Sequence, residues 1–327
     1  MTKRILRAFS HLVHRNLLLL GVVCAIWMSM RHPLSPAVFG SFNANTPLVA
    51  LIFLVEGMRM SFGDAGGWRQ YLKEIAWAVG ITAVCYPLTA HVLAGAFGVE
   101  SDARIGFLLL SSLPGSSASM AMAAGAGGDP LTAMLLLITL GLAGIVTIPA
   151  DLGLWMGSGT PVSALMVFKD LLLFLFLPAL SGQMLRRVFP QLVRRAEPPS
   201  HYVPMACITL LVYVSCSREA SLLHALRLSD LMRIAAPCLL LHGLMLGLCW
   251  LVARRALHLA DAPARSFLFV ISEKPMSLSV ALWSMTFAAH HPLAIFPILV
   301  FYVGQVLFDS IVVSRFIAND LRANPAG

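Results

Sequence analysis

Glu273 and Lys274 stand side by side in the middle of an apolar run, RSFLFVISEKPMSLSVALWSMTFAAHHP from Arg265 to Pro292, and Pro275 follows them at once. In lipid such an interruption is costly. Proline removes a helical donor and clashes with the preceding turn, and ionisable groups at bilayer depth persist only when they are paired or face a water-filled cavity. A carboxylate beside a helix break can join the freed backbone carbonyls to hold a cation or a proton. The ammonium of Lys274 brings three donors, and it can either pair with Glu273 across an unwound backbone or receive a substrate carboxylate. Glu273 and Lys274 are therefore the expected ion-coupling pair, and Lys274 with Pro275, Met276 and Ser277 the expected substrate-binding side of the break.

A second stretch has the same plan. Arg104 to Pro130 reads RIGFLLLSSLPGSSASMAMAAGAGGDP, an apolar half, a Pro-Gly break among serines, then a half of small residues. Ser116, Ser117 and Ser119 follow the break and can open a half-helix whose free amides favour an anionic group, or they can serve close helix crossings as small residues. They are carried as substrate-binding candidates, with Ser119 also an ion-coupling candidate. In the last apolar segment Gln305 and Asp309 lie four apart and Tyr302 three before Gln305, so the three share one face and can line the same cavity, or Asp309 can pair locally. Glu56 with Arg59 and Lys169 with Asp170 read as local pairs near segment ends.

Other chemistries find no footing. The six cysteines lie in or beside apolar segments without CxxC spacing or a histidine at ligand distance, and they read as buried thiols. His290 and His291 have no third ligand at metal spacing, so no metal site is expected. An intramembrane enzyme would need a nucleophile with its base, or a metal cluster. No Gly-x-Ser-x-Gly, no His-Glu-x-x-His and no aspartate pair on apolar segments supplies one.

The elements that must position these residues are membrane spans. Of the 327 residues 58% are hydrophobic and 12% charged, and the mean hydropathy is +0.83, values foreign to a soluble domain. The net charge of +8 is carried by residues scattered at segment ends, which signals topology and not a nucleic-acid surface. Apolar length and breakers predict spans near 16–30, 44–62, 71–97, 105–126, 130–156, 162–185, 201–217, 231–253, 266–289 and 293–316. The seventh is the weakest, and without it nine remain. The first, with its basic start and no small-x-small cleavage site, is expected to be a retained span. With the N-terminus inside, sixteen basic residues fall on the inner side and five on the outer, which puts both termini in the cytoplasm of a multi-pass protein. Pro114 and Pro275 are 161 positions apart and Pro130 and Pro292 are 162, about half the chain. Two interrupted apolar segments at matching places in two halves point to the binding site of a secondary transporter. Five spans per half, the second half starting outside, make the halves inverted repeats, the first about 12–157 and the second about 162–318, within one polytopic membrane domain.

The stretches LIFLVEGMRMSF (51–62), VCYPLTAHVLAGAFGVESDARIGFLLLSSLPGSSAS (84–119) and FLPALSGQMLRR (176–187), with the crossing segment at Glu273, resemble the bile acid:sodium symporter family. The likeness covers nearly the whole apolar region. It implies an all-α membrane protein of ten transmembrane helices in two inverted five-helix repeats, divided into panel and core domains, with the fourth and ninth helices discontinuous where they cross. It also implies a bacterial-type inner membrane location and the movement of organic anions such as bile acids, steroid sulfates and small carboxylates with sodium. The sodium ligands transfer poorly. Ser117, Ala118 and Ser119 fit the fourth-helix pattern, but Met120 stands in place of its asparagine. Hydroxyls of the fifth helix fall on Ala133 and Leu137, and a third-helix glutamine falls on Thr82, which is kept as an ion-coupling candidate. The ninth-helix pattern Glu-x-Gly-x-Gln-Asn becomes Glu273-Lys274-Pro275-Met276-Ser277-Leu278, keeping the acid and losing both amides. A hard cation needs about five or six oxygens in place of its water shell. What remains is too sparse.

The expectation is thus a non-enzymatic secondary transporter of a small organic anion by alternating access, embedded in the bilayer and independent of nucleic acid. It carries no cofactor; sodium and a proton are both open as the coupling ion, with proton coupling, uncoupled exchange or substitution by the lysine favoured over sodium. The alternative of another class is a sensor or scaffold that keeps the fold without transport.

Overall fold

The computed structural model describes residues 17–34, 45–59, 68–99, 101–155, 164–200, 202–218 and 228–323, and no strand occurs among them. The basic residues Lys3, Arg4, Arg7 and Arg15, Arg227, and the stretch 156–163 between the expected repeats lie outside the described residues. Among the described residues five helices are long and apolar enough to cross a membrane: Arg69–Ala96, Pro130–Trp155, Leu165–Val188, Met232–Ala256 and Pro292–Asp320. Leu20–Arg31 and Tyr202–Val214 are shorter apolar helices. The weakest expected span therefore forms a helix. Each of the two stretches with a Pro-centred break forms a pair of short helices.

The chain divides into two compact units, each drawing on both halves of the sequence. One comprises Met1–Ser61, Asp170–Leu226 and Val280–Ala288, and the other Phe62–Lys169, Arg227–Ser279 and Ala289–Gly327.

In the first unit lie α1 (Leu17–Arg31) and α2 (Asn45–Arg59), and most of α7 (Leu165–Val188). They are joined by α8 (Pro190–Ser200) and α9 (Tyr202–Arg218). Here α2 packs on α7, and α9 on α1 and α2. The α2–α7 crossing is tight because glycines meet there: a Cβ at Gly57 would strike the carbonyl of Ala179, and one at Gly182 the carbonyl of Leu54. Gln183 Nε2 donates to Gly57 O, and Arg186 Nη1 to Met58 O at 2.9 Å. An arginine thereby satisfies carbonyls at the end of α2 that no further helical turn can reach. Thr286 Oγ1 donates to Asp170 Oδ2 at 3.4 Å.

The second unit contains α3 (Arg69–Ala96), α4 (Ser101–Ser111), α5 (Ser119–Gly125) and α6 (Pro130–Trp155). From the second half it takes α10 (Leu228–Leu251), α11 (Asp261–Ser272), the start of α12 (Met276–Leu282) and α13 (Ile295–Ala323). Helix α6 starts where local chemistry says it should. Pro130 occupies the first helical position, and Asp129 Oδ2 accepts from Thr132 N at 2.7 Å and Thr132 Oγ1 at 2.5 Å. Around that cap α11 docks: Asp129 N donates to Ala262 O at 3.1 Å and Ser266 Oγ to Asp129 O at 2.8 Å. Arg265 donates to Ala126 O at 2.6 Å and forks onto Asp320 at 2.6 and 2.7 Å.

Large apolar side chains are exposed along the long helices, among them Leu142, Val146 and Leu154 on α6, Leu172 on α7 and Leu307 on α13. Such a surface is unfavourable in water and suited to acyl chains. The same surface explains Cys24, which is exposed, and Cys85, which is half-buried, against the expectation that all six thiols are enclosed. Cys207, Cys216, Cys238 and Cys249 are buried.

Candidate substrate and ion site

Two helix breaks meet in the second unit. The first runs between α4 and α5 through Pro114-Gly115, the second between α11 and α12 through Glu273-Lys274-Pro275. They approach closely because Gly115 has no side chain: a Cβ there would collide with Val270 O. Across the junction Lys274 Nζ donates to Leu113 O at 2.7 Å.

Each break answers for its backbone groups in a different way. At the first, the chain serves itself: Ser111 and Ser112 Oγ both donate back to Leu108 O, Ala118 N donates to Ser116 Oγ, and Ser119 Oγ to Ser116 O. The amides of Ser119, Met120 and Ala121 already have acceptors in Ser116, Ser117 and Ala118. The half-helix amides expected to receive an anion are therefore occupied, and α5 is only seven residues long. At the second break, other helices intervene. Tyr86 Oη, from α3, donates to Ser272 O. Gln305, from α13, accepts from Lys274 N at 2.7 Å and donates to Lys274 O at 3.3 Å, so one amide side chain grips both backbone groups of that residue.

Glu273 and Lys274 do not pair with one another, and the local ion pair considered from the sequence is absent. Lys274 is 3% exposed, and its ammonium sits 3.6 Å from the centroid of the Tyr86 ring. Its close partners are thus a carbonyl and an aromatic face, both neutral. Asp151 on α6, buried with Oδ2 lacking a partner, is the carboxylate whose charge reaches it. Glu273 lies instead beside Asp309, a second carboxylate close enough to act on it. Asp309 is fully buried and its Oδ1 lies 3.0 Å from His242 Nε2 on α10. Glu273 Oε1 and Asp309 Oδ2 have no donor from the protein. Carboxylates are acceptors only, so two of them in contact need a proton or a cation between them.

The sequence candidates divide accordingly. Glu273, Lys274, Gln305 and Asp309 come together, Gln305 as a backbone clamp and Asp309 as a partner of Glu273. Tyr302 is half-buried on the same helix. Pro275 and Met276 are buried and Ser277 half-buried on the far side of the break. Thr82 is buried with its hydroxyl unpartnered, on the π-turn Ile81–Cys85 one turn before Tyr86. Ala133 and Leu137 are buried apolar positions that bring no oxygen. His291 Nδ1 meets Asp102 Oδ1 at 3.0 Å. Sequence reasoning passed over Tyr86, Asp151 and His242. A histidine and an aspartate inside apolar spans were visible signals, whereas a tyrosine in an apolar helix is too common to be one.

Apolar helices broken at two facing points around a buried lysine and two carboxyls define a polytopic membrane transporter. The chain belongs to the SBF-like CPA transporter family, whose model matches residues 16–318. An uncharacterized protein of Pseudomonas aeruginosa is 26% identical over 280 residues, 82% of each chain. Sodium/bile acid cotransporter 7 of Rattus norvegicus is 22% identical over 324 residues, 92% of each chain. The probable chloroplastic sodium/metabolite cotransporter BASS3 of Oryza sativa subsp. japonica is 26% identical over 182 residues, 54% of this chain and 43% of its own. The chain is a transporter and not an enzyme.

Proposed function

We propose that this protein is a secondary transporter that moves a small organic anion by alternating access, with Lys274 standing where relatives hold a coupling sodium. One observation carries the reading. A buried ammonium at the junction of two helix breaks has only neutral close partners, Leu113 O and the Tyr86 ring. A cation so placed is held in position yet left without a counter-charge in contact, and an anionic solute supplies one. The cotransporters of bile acids and metabolites among its relatives support an organic substrate.

Ten spans in two inverted five-helix repeats, with the two compact units as panel and core, form part of this reading. The Leu113–Lys274 hydrogen bond supports it, because its partners are 161 residues apart, the same interval that separates Pro114 from Pro275. Residues that contact their own repeat equivalents belong on a two-fold axis. A bacterial-type inner membrane belongs to the family resemblance, and cytoplasmic termini to the distribution of the basic residues. The neighbouring carboxyls of Glu273 and Asp309, each with an oxygen that receives no protein donor, favour a proton over sodium as the coupled ion.

The test is uptake of labelled taurocholate, estrone sulfate and pyruvate into proteoliposomes under imposed sodium or proton gradients. Accumulation of one of them that survives replacement of sodium by choline, responds to the proton gradient and is lost in Lys274→Met is expected. Sodium-driven accumulation, or accumulation undiminished in Lys274→Met, contradicts the reading.

A further inference from the structure

Tyr86 touches the second break twice, through different atoms. Its hydroxyl donates to Ser272 O and its ring face receives the ammonium of Lys274. The residue is completely buried, and it follows directly on the π-turn Ile81–Cys85, the kind of helix irregularity that often marks functional sites. Gln305 meanwhile fixes the backbone of Lys274 at both its N–H and its C=O. The main chain at Lys274 is therefore held by α13, whereas the charged end of the side chain is held by the ring and by Leu113 O. These are separable tasks, and a change in the ring alone acts on the ammonium alone.

A ring face attracts a cation through its quadrupole, and the attraction is strongest where water is excluded. It is nevertheless weaker than a full negative charge at the same distance. We propose that Tyr86 sets the anion affinity of the site: its ring holds the Lys274 ammonium while no substrate is bound, and an entering anion competes with the ring for that ammonium. Resting occupancy by a neutral partner keeps the charge from collapsing onto Asp151 or Glu273, either of which would cancel it. This inference rests on the reading of Lys274 as the anion's cation, and it adds a specificity-determining residue beside it.

Replacement of Tyr86 by phenylalanine and then by its mono-, di- and trifluorinated forms tests it. All members lack the hydroxyl and keep the ring shape, and only the negative potential of the ring face falls along the series. The first readout is the melting temperature without substrate. A stepwise fall with fluorination is expected in the unmodified background and none in Lys274→Met. A flat series in both backgrounds overturns the contact itself.

The second readout is binding of whichever of taurocholate, estrone sulfate and pyruvate stabilises the unmodified protein. Its Kd should drop roughly three- to thirtyfold along the series, with KM following it and kcat changing less. Constant or weakening affinity along the series, with binding still dependent on Lys274, overturns the competition while leaving the transport reading intact. Failure of all three anions to stabilise the unmodified protein, or binding that persists in Lys274→Met, overturns the reading of Lys274 and this inference with it.

Discussion

Lys274 has no carboxylate in contact, so its burial is sustained by a carbonyl and a ring face alone. Burying an ion without a counter-charge costs several kcal/mol, whereas the acceptor that Lys274→Met leaves unpaired, Leu113 O, costs about 1–3 kcal/mol. Lys274→Met should therefore melt at or above the temperature of the unmodified protein while losing anion uptake. A variant that misfolds would show the ammonium to be structural. Asp309 gives the opposite contrast. In Asp309→Asn the amide oxygen can still accept from His242 Nε2, so the fold should survive with a change of about 1 kcal/mol. In Asp309→Ala the buried His242 Nε2 loses its partner, at about 1–3 kcal/mol. Thermal unfolding of the pair decides it, and equal losses would mean that Asp309 does not hold His242. Glu273, Lys274, Gln305 and Asp309 were legible in the sequence because ionisable and amide groups stand out in apolar segments. Their pairing was not. Neighbours in sequence suggested a Glu273–Lys274 ion pair, whereas the extended backbone at Glu273 sends the two side chains to different helices.

At the scale of elements, the two helix breaks were readable at Pro114 and Pro275, since proline and freed backbone groups announce themselves by physics that needs no partner. What each break does was less so. The serines after Pro114 looked like anion ligands because hydroxyls and half-helix amides suit anions, but the hydroxyls of Ser116 and Ser119 and the first amides of α5 are spent on closing the break itself. The π-turn that precedes Tyr86 left no trace in the apolar periodicity, because an extra residue in one turn of an all-apolar helix disturbs no pattern. Close approach of the breaks depends on Gly115, where a Cβ would collide with Val270 O, while nothing lies within 4 Å of a Cβ at Gly141 in α6. Gly115→Ala should cost about 1–3 kcal/mol through overpacking, whereas Gly141→Ala should gain roughly 0.5–1 kcal/mol from helix propensity. Differential melting of the two variants checks the crossing, and a harmless Gly115→Ala would argue against it.

At the scale of the whole molecule, composition alone established a helical membrane protein, and the family match over residues 16–318 agrees with it. The partition into two units could not be read from spacing, because each unit takes segments from both halves of the chain. Only contacts between distant segments reveal such an arrangement. The basic residues predict that a cysteine placed at Gly327 stays unlabelled by an impermeant maleimide in intact cells, and labelling there would overturn the assignment of both termini to the cytoplasm. The central claim is that an ammonium has taken the place of sodium, and it can be tested without knowing the substrate. A sodium site filled at about a hundred times its Kd would stabilise the fold by roughly 2.7 kcal/mol, a shift of several degrees. The most direct measurement is the melting temperature of the purified protein as sodium replaces choline at constant ionic strength. No shift is expected in the unmodified protein, and a saturable rise at millimolar sodium would show a sodium site that the ammonium has not replaced.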